Sequence, residues 1–176
     1  MPVEHERKML LRPESPQELL RHLKRQPFVQ TFEITQGYIN KSARIRHVVP
    51  HNGDAETHWF TFKTKVTGNT VEIETEISIH DYHKLFLIAK PVIHKTRCKF
   101  QEGLNCWDVD FFKNPKSGDI YLSMAEVEMP EFELDLPEVH PLLQENFWRW
   151  IDANDKRFQN KNLGNYKKVL MNLKGL

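Results

Sequence analysis

At 176 residues the chain is long enough for one domain that buries roughly 70% of its unfolded surface, so it needs no disulfide or structural metal to fold. Its 25 Lys and Arg against 24 Asp and Glu leave a formal net charge of +1, which excludes a nucleic-acid or membrane binder attracted by bulk charge. Any function that uses charge must therefore rest on local segregation.

The stretch "MPVEHERKML" has no apolar signal core, and no run approaches the ~20 apolar residues of a membrane span, so a cytoplasmic protein is expected. A first strand is expected in "VEHERKMLL". In "SPQELLRHLKRQ", Ser15 as N-cap, Pro16 at the first helical position and Glu18 three after the cap form a capping box for a short helix. Strands follow in "VQTFEITQGYI" and "ARIRHVV", then the loop "PHNGDAETH" and a hairpin of "WFTFKTKV" and "TVEIETEISI" turning at "TGN". "HDYHKLFLIA" reads as a helix, and "VIHKTRCKF", "CWDVDFFK" and "IYLSMAEVEM" as further strands. The tail from about Glu138 is helical in pattern, most clearly in "ENFWRWI" and "NYKKVLMNLK". This is the pattern of an antiparallel α+β domain spanning residues 1–176, with a C-terminal helical segment at about 138–176.

A strand points alternate side chains to opposite faces, and the same charge phasing recurs from strand to strand. Glu4, Glu6 and Lys8 share a face in the first. Arg44 and Arg46 share one with Ile45 opposite, and Lys63 and Lys65 share one with Phe60 and Phe62 opposite. Glu72, Glu74 and Glu76 alternate with Val71 and Ile73, and Lys95 is in phase with Arg97. Asp108 and Asp110 oppose Trp107, Val109 and Phe111, and Glu126 and Glu128 oppose Val127 and Met129. Either these charged faces look outward from a sandwich, or the sheet closes with its charges inside and helices on the apolar outside. Solvated faces intersperse Lys with Glu, whereas here "ARIR", "FKTK" and "KTR" are purely basic and "EIETE", "DVD" and "EVE" purely acidic. Sign grouped by strand suggests opposing walls of one site. Paired carboxylates suit a hard cation such as Mg²⁺ or Mn²⁺, and grouped Arg and Lys suit a polyphosphate.

Other residues have plainer readings. Cys98 and Cys106 flank the turn "KFQEGLN" and are expected as small buried thiols. The nine His show no metal-ligand spacing, and His80 and His83 are expected on a helix surface. Trp148 and Trp150 read as helix packing, and Lys156, Arg157 and Lys161 as a solvated helix face.

The segments "VEHERKMLL", "QGYI", "ARIR", "FTFK", "VEIETEI", "KTR", "WDVDFF" and "MAEVEM", in that order, resemble the CYTH superfamily, the triphosphate tunnel metalloenzymes. "DKRFQNKNLG" is similar to the Asp-x-Arg-Tyr-x-Asn-x-x-Leu-Ala segment that closes many short bacterial members, the inorganic triphosphatases. The resemblance implies an eight-stranded antiparallel closed β tunnel, a barrel with a charged interior and helices packed outside. It implies Glu4, Glu6, Asp108, Asp110, Glu126 and Glu128 as ligands of Mg²⁺ or Mn²⁺. Lys8, Arg44, Arg46, Lys63, Lys95 and Arg97 would clasp phosphate oxygens, with Lys65 less regular and Arg157 directed toward a tunnel mouth. Catalytic roles would fall to Glu4, Glu6, Lys8, Glu74, Glu76 and Lys95, with a second metal or a glutamate such as Glu74 or Glu76 placing the attacking water. Thr70 stands where many bacterial members carry Arg, and Phe158 where the family has Tyr.

The implied reaction is metal-dependent hydrolysis of a small-molecule triphosphate, foremost inorganic triphosphate to pyrophosphate and phosphate. A class IV-type adenylate cyclase, or a module that binds polyphosphate or a nucleotide without turnover, remains open. No membrane or nucleic-acid partner is expected, and a homodimer is compatible with the sequence. The Glu4/Glu6 and Glu126/Glu128 pairs weigh against the module, because carboxylates facing an anion are costly unless a metal screens them.

Overall fold

The computed structural model describes residues 6–67, 69–130, 132–133, 135–152 and 155–176. Its strands are β1 (Glu6–Leu11), β2 (Gln30–Tyr38), β3 (Ala43–Pro50), β4 (Thr57–Val66), β5 (Asn69–Glu76), β6 (Val92–Glu102), β7 (Asn105–Lys113), β8 (Ile120–Glu128) and β9 (Phe147–Ile151). The helices are α1 (Pro16–Lys24), α2 (Ile79–Phe86), α3 (Pro141–Gln144) and α4 (Tyr166–Lys174), with 3₁₀ turns at Lys156–Phe158 and Asn160–Asn162. The strands form one antiparallel sheet in the order β5-β4-β3-β2-β6-β7-β8-β1-β9.

This sheet corrects the closed eight-stranded barrel: among the described residues it has nine strands and is open. The physical reason lies in "ENFWRWI", which is not a helix. Residues Phe147–Ile151 are β9, and β9 pairs with β1 from Lys8↔Ile151 to Leu11↔Phe147, occupying the edge that β1 would need to meet β5. Phe147 and Trp150 pack against the cluster under α1, while Trp148 and Ile151 pack against a second cluster. An apolar residue is therefore wanted on both faces of β9, which hides the period of two.

Strand phasing builds the core. On one face Met9, Cys98, Trp107, Val109, Phe111, Ala125 and Val127 are covered by Leu19 and Leu23 of α1 and Leu143 of α3. Fully burying Phe111 and Leu143 stabilises the fold by about 1.5–3 kcal/mol each. Farther along the same face, Ile45 packs with Tyr82 and Ala89 beside α2. Gly37 allows that approach, since a Cβ there would lie 2.7 Å from the Ala89 Cβ.

The opposite face is charged at one end only. Along β1 the side chains run Glu6, Lys8, Leu10, and along β7 Asp108, Asp110, Phe112. Leu10 pairs with Met124, which pairs in turn with Asp110, and Phe112 pairs with Leu122, so β1 and β8 turn apolar one pair before β7 does. Phe158, Leu163 and Val169 from the tail pack onto this apolar end together with Ile93. The tail thus plugs one end of the inner face and leaves the charged end open.

Two smaller expectations change. Ser15 is the N-cap of α1, but its side chain makes no cap hydrogen bond, so the capping box does not form. Cys98 is buried and Cys106 half-buried, and both are free thiols. Cys98 lies opposite Val109, and Cys106 opposite Gln101, which puts the two thiols on different faces. Among the described residues no helix is long and apolar enough to cross a membrane.

Candidate active site

The register of the central strands brings the charged residues together. Lys8 pairs with Glu126, Glu126 with Asp108, and Arg97 with Asp110. On the other side of β2, Gln36 pairs with Arg46 and Tyr38 with Arg44. A polar cavity of about 190 Å³ is lined by Glu6, Lys8, Gln36, Arg44, Arg46, Lys63, Lys95, Arg97, Asp108 and Glu126. A larger cavity of about 610 Å³ shares Glu6, Lys8, Arg44, Lys63 and Asn160 with it and adds Tyr38, Lys65, Asp155, Phe158 and Lys161. Residues of β1 and of β3–β4 therefore border one space although these strands do not pair: the sheet curls without closing.

The innermost group is an ion-paired triad. Lys95 Nζ donates to Asp110 Oδ2 at 2.6 Å, and Arg97 grips Asp110 through Nε and Nη2, both at 2.7 Å. Arg97 also donates to Asp108 through Nη1. Burial works to raise the Asp110 pKa, but Arg97 and Lys95 override it and hold this carboxyl well below the usual range. For Lys95 the balance reverses: burial, reinforced by the neighbouring Arg97 charge, outweighs Asp110 and brings the amine down to about 8. Nearer the mouth, Lys8 Nζ lies 2.6 Å from Glu126 and 2.7 Å from Glu6. Burial opposes its charge, yet these two carboxylates keep the Lys8 pKa above its ordinary value.

The basic row on β3 and β4 is engaged more loosely. Arg44 and Lys63 each lie 3.3 Å from Glu72, while Arg46 and Thr61 both donate to Glu74 Oε2. Burial, then the adjacent Arg44, lower the Arg46 pKa against the pull of Glu74. Arg44 Nε and Arg46 Nε are buried without a hydrogen-bond partner among the described residues, as is Asp108 Oδ1. Each such orphan costs about 1–3 kcal/mol unless a ligand satisfies it. Arg44, Arg46 and Asp108, which carry these atoms, all line the smaller cavity, and Lys99 Nζ lies 3.9 Å from Asp108 Oδ1.

The oxygen-only set of Glu6, Asp108 and Glu126 is the kind that Mg²⁺ or Mn²⁺ takes, so the residues fit the implied ion. The other residues named from sequence are placed variously. Glu4 lies outside the described residues. Asp110 is almost fully buried and already held by two cations. Glu74, Glu76 and Glu128 are exposed and border neither cavity, and Lys65 borders only the larger one. Arg157 is exposed and clamps Asp155 at 2.7 Å, so it is not directed into the smaller cavity. His80 and His83 are exposed on α2. The basic and acidic strands are also not opposing walls throughout, since basic β6 is the immediate neighbour of acidic β7.

Sequence reasoning missed Gln36, Tyr38 and Asn160. Gln36 is buried and donates to Tyr38 Oη at 2.7 Å, and both share the inward phase of β2, a signal that was there to be used. It also missed His47, Glu56 and His58, which come together on the opposite face of the sheet despite the lack of a ligand spacing.

No family model matches the chain. It is 38% identical over 104 residues to an inorganic triphosphatase of Acetivibrio thermocellus, a match covering 54% of this chain and 60% of that protein. The chain resembles the CYTH superfamily and, within it, the inorganic triphosphatases. The match spans less than two thirds of that triphosphatase's length. The solved structure of PH1819 protein from Pyrococcus horikoshii OT3 aligns with a TM-score of 0.50 at 18% identity, covering 73% of this chain and 78% of its own, a likeness of fold alone.

Proposed function

We propose that this CYTH-like chain is a divalent-metal-dependent triphosphatase that hydrolyses inorganic triphosphate to pyrophosphate and phosphate. The observation that carries this reading is the smaller cavity. There Arg44 and Arg46, with Lys63, Lys95 and Arg97, share the lining with the carboxylates Glu6, Asp108 and Glu126. The likeness to an inorganic triphosphatase supports the same chemistry.

Glu6, Asp108 and Glu126 would hold Mg²⁺ or Mn²⁺, with Glu4, Asp110 and Glu128 as further oxygens of the set implied by resemblance. When bound, the ion neutralises charge on phosphate oxygens. The basic residues bind and orient the phosphate chain, each charge-assisted bond contributing about 1.5–3 kcal/mol. Because they come from β3, β4 and β6, a ligand must be long enough to reach several strands, which favours triphosphate over pyrophosphate. Lys8, held charged between Glu6 and Glu126, fixes the orientation of both carboxylates. Glu74, held by Thr61 and Arg46 through Oε2, would orient the attacking water as the resemblance implies.

One observation favours the nucleotide alternative: the larger cavity has room beyond the phosphates and includes the rings of Tyr38 and Phe158. The deciding experiment compares turnover of triphosphate, pyrophosphate, ATP and thiamine triphosphate side by side with Mg²⁺ and with Mn²⁺. Triphosphate should be the best substrate. Cyclic AMP formed from ATP, with triphosphate inert, would replace the hydrolase by a cyclase.

A further inference from the structure

We propose that His47, Glu56 and His58 form a second metal site, selective for Zn²⁺ and similar transition-metal ions, on the face of the sheet opposite the charged cavity. His47 and His58 are direct cross-strand partners on β3 and β4, and Glu56 immediately precedes β4, two residues before His58 and in the same phase. The two imidazoles stack with centroids 4.6 Å apart and planes within 2°. His47 Nε2 lies 2.9 Å from Glu56 Oε2, and the three donor atoms all fall within 4.8 Å of one another. Zinc bonds of ~2.0–2.1 Å place tetrahedral donors about 3.3 Å apart, so side-chain rotation suffices to close the set.

The surroundings favour ligation. Tyr82 of α2 lies 4.9 Å from the His58 ring and 5.8 Å from the His47 ring, backing both imidazoles. His58 is buried, which shields a bound ion from water on that side. Two imidazoles and one carboxylate are a borderline-soft donor set that Mg²⁺ does not favour, unlike the oxygen-only set across the sheet. Three protein ligands leave a fourth position for water, and the bound ion would tie β3 to the entry of β4 across the intervening loop. His47 directly follows Arg46 on β3, so this clip would hold a phosphate-binding strand from behind.

The test uses the full chain with Co²⁺ as a visible probe. In wild type one equivalent should bind with the intense visible absorption of a four- or five-coordinate centre, whatever weakly absorbing six-coordinate Co²⁺ enters the charged cavity. Zn²⁺ should displace it and raise the unfolding temperature, and excess Mg²⁺ should not. Glu56→Gln, at a half-exposed side chain, and His47→Gln should each lose the absorption and the thermal shift while circular dichroism stays native; Glu126→Gln, across the sheet, should keep both. A signal that persists in Glu56→Gln, vanishes in Glu126→Gln, yields to Mg²⁺, or never departs from that of six-coordinate aqueous Co²⁺ would leave only an ion pair and a ring stack at this place.

Discussion

The ion pairs of β6–β7 and those of β3–β5 use the same residue types in different surroundings. Lys95 and Asp110 have side chains 2% exposed, on strands flanked by β2 and β8 in the middle of the sheet. Arg44 and Glu72 are 22% and 26% exposed, and β5 is an edge strand with a neighbour on one side only. In the middle of the sheet, desolvation makes each charge depend on its partner, so removing one member leaves a buried charge uncompensated. At the edge, water screens the same contacts, and a phosphate oxygen can take the place of a carboxylate at little cost. The difference assigns the central pairs to holding the site's charged lining in place, where Lys95 and Arg97 also face the cavity, and the edge pairs to exchanging with substrate.

The largest expected effect comes from breaking the central half. Asp110→Asn leaves Lys95 and Arg97 without their shared anion and should lower stability by about 3–5 kcal/mol in urea denaturation at neutral pH. A loss below about 1 kcal/mol would put the two halves on an equal footing. Arg46→Ala attacks the edge half instead and should leave stability nearly unchanged. It should raise the Michaelis constant for triphosphate by roughly 10- to 100-fold, the equivalent of one charge-assisted bond of about 1.5–3 kcal/mol. An unaltered constant removes Arg46 from substrate binding.

The pH dependence sharpens the contrast further. Burial brings the Lys95 amine down to about 8, below its ordinary 10.5, so the free protein loses this cation as pH rises through about 8. Over that range kcat/KM for triphosphate should decline, and Lys95→Arg should abolish the decline. The stability sign is opposite. Between about 8 and 10.5 the unfolded chain holds a proton that the folded chain has released, so this group makes stability rise with pH in that window. A wild-type kcat/KM profile without the Lys95-dependent inflection would contradict the assignment. The smallest effect belongs to Glu72→Gln: at a screened edge pair the stability change should stay within about 1 kcal/mol and shrink further in high salt.

Much of the fold was legible because most strands have one wet or charged face and one apolar face, which exposes the period of two. Strand β9 was not, because Phe147, Trp148, Trp150 and Ile151 are wanted on both sides. Closure was illegible for a related reason: alternation tells which residues share a face, not which edge is already taken, and β9 takes the edge of β1. Within the site, residue types and phase pointed to the cavity-lining carboxylates and to the basic row. Register decides the rest. Lys8 with Glu126, and Lys95 with Asp110, are partners of one another in the structure, where the family resemblance had assigned them separately to phosphate and to metal. The change from Lys8 to Leu10 and from Asp110 to Phe112, which marks where the tail plugs the inner face, stands in the sequence but acquires meaning only once β1, β7 and β8 are aligned. The pairing of His47 with His58 is of the same kind.

The most direct test of a charged cavity that binds a metal and hydrolyses a triphosphate is the initial rate of phosphate release from inorganic triphosphate by the wild-type chain. It is measured with Mg²⁺ or Mn²⁺ and again after chelation. Pyrophosphate and phosphate should appear in equal amounts, and release should stop when the metal is removed. Triphosphate that binds with either metal but is never cleaved would contradict the hydrolase and leave a binding module in its place.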